Sequence, residues 1–331
     1  MSEKRRRRET THPRTGFWIG DTEVVPGSVV DIELEMARLP TRGPMTLPVR
    51  VFRGRIEGPK IWLSAAIHGD ELSGIEIIRR ALEGIDVHSL RGTVIAVPIV
   101  NVHGFLNRTR ALPDGRDLNR SFPGSRRGSL TARLAWLFMS EIASKCDYGL
   151  DFHTATSDRI NLPQLRADLS DPQTRALAEA FGAPVTIDAR TRDGSLREVA
   201  TKRGARVLLF EGGEAQRFDE ASISAGVDGV HRVLEYLGMH GHHRRKAGRT
   251  RRRYVATGSS WVRAPRSGLF RSAVHNGETV SVGDELGVIA NAFGDDAIVV
   301  RSKLAGVIVS MALNPVVHQG DALVHVAFVE G

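Results

Sequence analysis

The chain has 331 residues, 41% of them apolar and 25% charged, an ordinary globular composition that excludes a wholly disordered or fibrous chain. No apolar run reaches the roughly 18 residues that a membrane span needs, the charged start MSEKRRRRET lacks a signal peptide's apolar segment, and the single cysteine, Cys146, excludes an internal disulfide. The net charge of +8 divides into +4 over residues 1–15 and +7 over residues 240–254, which leaves −3 for the rest, so no basic face of a folded domain is implied.

In chain order, residues 1–15 read as a basic disordered arm, followed by an N-terminal β extension over 16–45. From residue 46, apolar runs suited to buried strands alternate with stretches whose apolar residues recur every three or four positions. The strand-like runs are TLPVRVFRG, KIWLSAAI, TVIAVPIV, YGLDF and RVLLF; the helical ones are ELSGIEIIRRALEG, SLTARLAWLFMSEIAS and ISAGVDGVHRVLEYLG. That alternation, over about 46–238, predicts an α/β sheet flanked by helices, with ligands gathering outside the carboxyl ends of the strands; with the β extension the catalytic domain spans 16–238. Between them, residues 101–128 form a long polar segment rich in Gly, Pro and Arg, too long for a plain connection.

The basic linker 239–254 ends this texture, and short strands and turns follow over 255–331. They contain an internal repeat. Gly268, Ser272, Val280, Gly283, Asp284 and Leu286 recur as Gly306, Ser310, Val317, Gly320, Asp321 and Leu323. A duplicated β unit of this size predicts a small barrel-sandwich of two halves, and it resembles a biotinyl/lipoyl domain. The segment ANAFGDDAIVV between the halves has no lysine, so a covalent cofactor arm is not expected.

Three strand-like runs end in chemistry-bearing residues. The first surfaces as IHGDE, with His68 and Glu71; the second ends in His153, two residues after Asp151; the third runs into Glu211 and two glycines. Each is ordinary alone, since a first-turn glutamate is favoured by a helix dipole and a strand histidine usually has a structural partner. Together, at one edge of a sheet, two histidines and a carboxylate form a three-ligand catalytic zinc set with an open position. His68, Glu71 and His153 are therefore the expected ligands of one Zn²⁺ per subunit. Glu211 is left as the base for a water, its pKa raised by burial. Asp151 is a candidate to orient the ring of His153.

With DLNRSFPG at 117–124 added to these residues, the chain resembles the succinylglutamate desuccinylase/aspartoacylase family, a branch of the zinc carboxypeptidase fold. The resemblance covers residues 46 to about 238. It implies a mixed eight-stranded sheet with helices on both faces, followed by a β-rich C-terminal domain. It further implies that Asn119 and Arg120 hold a substrate carboxylate. The family's upstream arginine corresponds to Arg110, with Arg108 as the competing choice. The expected activity is zinc-dependent hydrolysis of an amide bond in an N-acyl amino acid or similar small carboxylate-bearing substrate. The alternative is a carboxypeptidase acting on peptide C-termini. A cytoplasmic location and a homo-oligomer are compatible with the sequence, and the basic arm and linker could tether it to RNA or a ribosome. Arg159, Arg166, Arg190 and Arg192 lie in segments that could close the pocket, whereas Arg116, Arg126 and Arg127 read as solvent-exposed.

Overall fold

The computed structural model describes residues 16–38, 42–240 and 252–329. The basic arm 1–15 and residues 241–251 of the basic linker lie outside the described residues, as does any tethering role assigned to them.

The chain opens with a small hairpin, β1 (Trp18–Ile19) and β2 (Thr22–Glu23), and two long antiparallel strands, β3 (Ser28–Arg38) and β4 (Pro44–Arg53). In β3 the buried Ile32, Leu34 and Met36 alternate with exposed acids, as a strand with one covered face requires. The helix-bearing part follows: β5 (Ile56–Ala65), α1 (Ser73–Glu83), β6 (Arg91–Val97), α2 (Val102–Asn107), α3 (Leu130–Glu141), β7 (Tyr148–His153) and β8 (Arg159–Ala167). Then come α4 (Pro172–Phe181), β9 (Val185–Asp188), α5 (Leu196–Lys202), β10 (Arg206–Gly213) and α6 (Glu220–Tyr236).

These strands form one sheet in the order β3-β4-β6-β5-β7-β10-β8-β9. The middle is parallel, β6 to β5 to β7 to β10, while β4 and β8 run against it on either side. Strand parity sends alternate side chains to opposite faces. Leu63, Phe152 and Phe210 meet α1, α4 and α6 through Ile77, Phe181 and Val230 on one face. Trp62, Ile95 and Val207 meet α3 and α5 through Phe138 and Leu196 on the other. The four parallel strands are thus buried on both sides, which explains their near-continuous apolar sequence.

Glycine sets one close approach. A Cβ at Gly74, in the first turn of α1, would lie 2.7 Å from the Cβ atoms of Ala65 and Phe152. Its absence seats the helix directly against the ends of β5 and β7, where the site forms.

The C-terminal strands do not stand apart from this sheet. Strand β11 (Tyr254–Arg263) pairs in parallel with β9 and extends the same sheet to twelve strands. It is followed by β12 (Gly268–Ser272), β13 (Thr279–Val280), β14 (Glu285–Ala290), β15 (Ile298–Arg301), β16 (Gly306–Ala312), β17 (Val316–Val317) and β18 (Ala322–Val329). The short strand of each repeat pairs with the first strand of the other, β13 with β16 and β17 with β12. Neither half can close its ladder alone, so the duplication is a structural requirement. The halves share a core of Phe270, Leu286, Ile289, Ile308, Leu323 and Val326. Strand β16 also pairs with β8, setting Ser310 opposite Asn161. Composition changes at the linker, but backbone pairing does not respect that change, because the free edge of β9 offers donors and acceptors that β11 satisfies.

Candidate active site

Strands β5, β7 and β10 deliver their ends to one place. Past β5 the chain turns through Ala66, which adopts a left-handed φ of 49°, and reaches His68. Gly69 lies against the backbone of Gly104, where a Cβ would come within 2.0 Å of the Gly104 carbonyl carbon. That contact docks the β5–α1 turn on α2. Glu71 sits just before α1, His153 is the last residue of β7, and Glu211 on β10 is in register with His153.

His68, Glu71 and His153 are all buried, and one ligand atom from each lies within 4.8 Å of the others. The Nδ1 atoms of His68 and His153 are each 2.7 Å from a different oxygen of Glu71. The far ring nitrogens are also held: Nε2 of His68 lies 3.2 Å from Asp117 and Nε2 of His153 lies 2.9 Å from Asp151. Asp151 in turn accepts from Ser64 Oγ at 2.7 Å. Carboxylates behind two histidines present both Nδ1 atoms inward, the arrangement typical of metal-binding imidazoles. The donor set of two imidazole nitrogens and one carboxylate therefore fits a divalent metal ion with a position left over.

The electrostatics are dominated by burial and by these mutual pairings. Burial disfavours the His153 cation, yet Asp151 and Glu71 outweigh it and raise its pKa well above the ordinary value; His68 is raised as well, by Glu71 and Asp117. Burial alone would raise Glu71 and Asp117, but the facing histidines hold both carboxyls far below the usual carboxylate range. Glu211 behaves oppositely. Burial raises its pKa and the Glu71 charge adds to the effect, although His153 and Arg166 oppose it. Asn161 Nδ2 donates to Glu211 Oε2 at 2.9 Å and fixes the carboxylate's orientation. A carboxylate pushed upward beside a set of metal donors is suited to accept a proton near neutral pH.

The polar segment 101–128 wraps the other side. Asn101 caps α2 by accepting from Gly104 N at 2.8 Å, and its Nδ2 donates to the Arg110 carbonyl at 3.1 Å. Arg110 is thereby held with its guanidinium 3.3 Å from Glu71 and 3.0 Å from Asp117. The side chain of Arg108 does not line the pocket; the residue closes α2 in a left-handed conformation, and its carbonyl accepts from Gln216. Asn119 Oδ1 accepts from Leu196 N at the start of α5, leaving its Nδ2 without a protein partner among the described residues. Asn119 and Arg120 both line the pocket, while Arg116, Arg126 and Arg127 do not.

The cavity in front of these groups measures about 230 Å³. Arg159, Arg166, Arg190 and Arg192 line its far side. So do residues that the sequence did not mark as site residues: Asn161, Arg197, Trp261, Ser310 and His325. The last three come from β11, β16 and β18, whose role at the pocket has no motif because their chain is remote from every strand end described above. Asn161 carried no sequence signal. Asp117 stood in the DLNR motif, where an aspartate preceding a short helical turn reads first as its cap, and it does cap that turn through Asn119 N.

Fold and site together define a class: hydrolytic enzymes that work at the strand ends of an α/β sheet. Residues 57–237 match the succinylglutamate desuccinylase/aspartoacylase catalytic domain, and the chain belongs to that family. It is 29% identical over 301 residues to the N-alpha-acetyl-L-2,4-diaminobutyric acid deacetylase of Halomonas elongata, covering 86% of each chain. The succinylglutamatedesuccinylase/aspartoacylase structure from Rhodobacter sphaeroides superposes with a TM-score of 0.79 at 28% identity, over 92% of this chain and 96% of that one. The product-bound ectoine utilization protein EutE (DoeB) of Ruegeria pomeroyi shares the fold, with a TM-score of 0.80 at 23% identity over 91% and 95% of the two chains. Among the described residues no helix is long and apolar enough to cross a membrane.

Proposed function

We propose that this protein is a zinc-dependent deacylase that hydrolyses the amide bond of an N-acyl amino acid or a similar small carboxylate-bearing substrate. The observation that carries the reading is the buried His68–Glu71–His153 donor set with Glu211 beside it. The activity that names the Halomonas elongata relative, removal of an acetyl group from the nitrogen of an amino acid, agrees with it. A cavity of about 230 Å³ has room for a small carboxylate-bearing metabolite, as the deacylase reading requires.

His68, Glu71 and His153 would hold the ion, which when bound supplies Lewis-acid polarisation of the acyl carbonyl and a water of lowered pKa. Glu211 takes the proton from the attacking water as the new C–O bond forms, its raised pKa matching that task. Asn161 keeps the Glu211 carboxylate aimed during this transfer. Arg110, beside Glu71, stabilises charge developing on the carbonyl oxygen. As the C–N bond breaks, Glu211 returns the proton to the departing amine. Asn119, through its unengaged Nδ2, and Arg120 hold the substrate carboxylate; a planar guanidinium pairs with it in a two-point fork. The catalytic part, 16–238, and the β-rich part, 255–331, act as one unit on this reading, since both line the pocket.

The test is a screen of N-acyl amino acids against short peptides, run on protein as purified, after chelation and after zinc is restored. Release of free amino acid that chelation abolishes and zinc restores is expected. Turnover that survives exhaustive chelation removes the metal from the reaction. Hydrolysis of peptides alone replaces the deacylase with a carboxypeptidase.

A further inference from the structure

Strand β8 joins the two parts of the chain, with β10 along one edge and β9 and β16 along the other. Opposite β10, Glu211 faces Gln164 but Gly213 faces Asn161, so two steps along β10 span three along β8. The surplus residue lies at Leu162–Pro163, and a proline, lacking an N–H, suits such a bulge. Its effect is on parity. Without the surplus residue Asn161 would turn to the face opposite Glu211; with it, Asn161 shares that face, and its Nδ2 reaches Glu211 Oε2 at 2.9 Å. A second bulge lies across the other edge. In β16, Ile308 faces Val326 while Ser310 faces His325, which makes Val309 the surplus residue. Ser310 is thereby set opposite both His325 and Asn161, and His325 pairs in turn with Trp261. One cross-strand row thus runs from Asn161 through Ser310 and His325 to Trp261, and all four line the cavity.

Two side-chain amides hold β16 to β8 in this register. Gln164, fully buried and directly opposite Glu211, donates through Nε2 to the carbonyl of the bulged Val309 at 3.1 Å. Asn276, in the loop between β12 and β13, donates through Nδ2 to the carbonyl of Ile160 at 3.1 Å. Each keeps a buried amide oxygen with no hydrogen-bond partner among the described residues. An orphaned buried acceptor offsets much of what the donated bond contributes, so stability alone does not account for either amide. What both bonds fix is the register.

We propose that Gln164 and Asn276 are positioning residues for the reaction: by pinning β16 to β8 they hold Asn161, and through it the Glu211 carboxylate, in the alignment that proton transfer needs. The C-terminal strands then set the geometry of the proton acceptor as well as one wall of the pocket. Neither amide lines the cavity, so neither touches substrate. The inference rests on the role given to Glu211 in the deacylase reading and deepens it. A small misplacement of a reacting group lowers turnover without weakening binding when the substrate's own contacts lie elsewhere, as those assigned to Asn119 and Arg120 do.

The experiment uses full-length, zinc-loaded Gln164→Leu, which keeps much of the side chain's bulk and removes the donor. With the best substrate of the N-acyl amino acid screen, kcat should fall about ten- to a hundredfold, while KM and zinc content stay within about twofold of the parent. Asn161→Ala should lose a similar factor. Combining Asn161→Ala with Gln164→Leu should lose no more than Asn161→Ala alone, because both act through one contact. Asn276→Ala gives the same readings should Gln164→Leu not fold, and Asn291→Ala, in the turn between β14 and β15, should change nothing. A second readout needs no substrate. In protein carrying isotopically labelled asparagine, the Asn161 side-chain amide resonance, assigned by its loss in Asn161→Ala, should move in Gln164→Leu as it does in Glu211→Gln, and should stay in place in Asn291→Ala. Losses that multiply in the double variant, a rise in KM in place of the fall in kcat, or an unmoved Asn161 resonance overturns the proposal. A failed deacylase reading looks different: the parent cleaves no N-acyl amino acid, and the resonance alone then decides whether Gln164 holds Asn161 on Glu211.

Discussion

The two ends of the cavity are built in opposite ways. At the strand-tip end the metal donors and the groups behind them are paired, in a chain that runs from Asp151 through His153, Glu71 and His68 to Asp117 and Arg110. At the arginine end, Arg166 and Arg192 form no ion pair among the described residues; Glu211 acts on Arg166 through its charge alone, and the other neighbours are the His325 imidazole and the Trp261 indole. Such a paired chain is rigid and pre-aligned, which is what metal binding and proton transfer need. A cationic wall that its own chain leaves without ion pairs is costly to bury and is sensitive to any charge brought near it. The difference teaches that chemistry and recognition are separable here: one should be alterable with little change in the other.

The largest expected effect breaks the chemical end alone. Glu211→Gln keeps the side chain's shape and its contact with Asn161 yet removes the proton acceptor, and turnover should fall by about 10²- to 10⁴-fold. Zinc content, measured by elemental analysis, should be unchanged. Turnover within a fewfold of the parent value would show that another group takes the proton.

A smaller effect tests the network behind the ligands. Asp151→Asn removes the charge that orients His153 while keeping its size. Zinc affinity, followed by competition with a chelator, should drop about ten- to a hundredfold. If it does not, the carboxylates behind the histidines are packing neighbours only, and the contrast between the two ends loses its basis.

The smallest effect belongs to the recognition end and reads out in stability. With its pKa held near 3 rather than 6.5, His325 stays neutral in the folded chain and takes up a proton mainly on unfolding. Its contribution is therefore complete above about pH 6.5 and is lost progressively as pH falls toward about 3. His325→Gln should flatten the acid-side decline in Tm by several degrees across that window, on top of a pH-independent loss from the missing stack on Trp261. An identical decline in both proteins would mean that the imidazole is protonated in the fold and that the arginine cluster around it is looser than described.

Much of the strand-tip end was legible in the chain because its parts are local. A buried strand that ends in His-x-x-Glu, His or Glu carries the signal within a few residues, and the period of the apolar pattern states where each strand stops. Arg110 and Arg108 could not be separated by the same means, being two residues apart on one loop. Hydrogen bonds from Asn101 and Gly69 to the Arg110 carbonyl, and the left-handed turn at Arg108, send the two side chains different ways.

What the sequence determined by itself was the alternation of strands and helices, the duplicated β unit and the residue types at three strand ends, since hydrophobic periodicity and chain-local chemistry are written in neighbouring positions. Only the tertiary structure decided that β11 would continue the sheet from β9, that Asn161 would steady Glu211, and that Trp261 and His325 would wall the same pocket as Arg159 and Arg166, which lie far earlier in the chain. Those outcomes follow from backbone pairing at a free sheet edge, which depends on donors and acceptors common to every residue and so leaves little mark on the order of side chains.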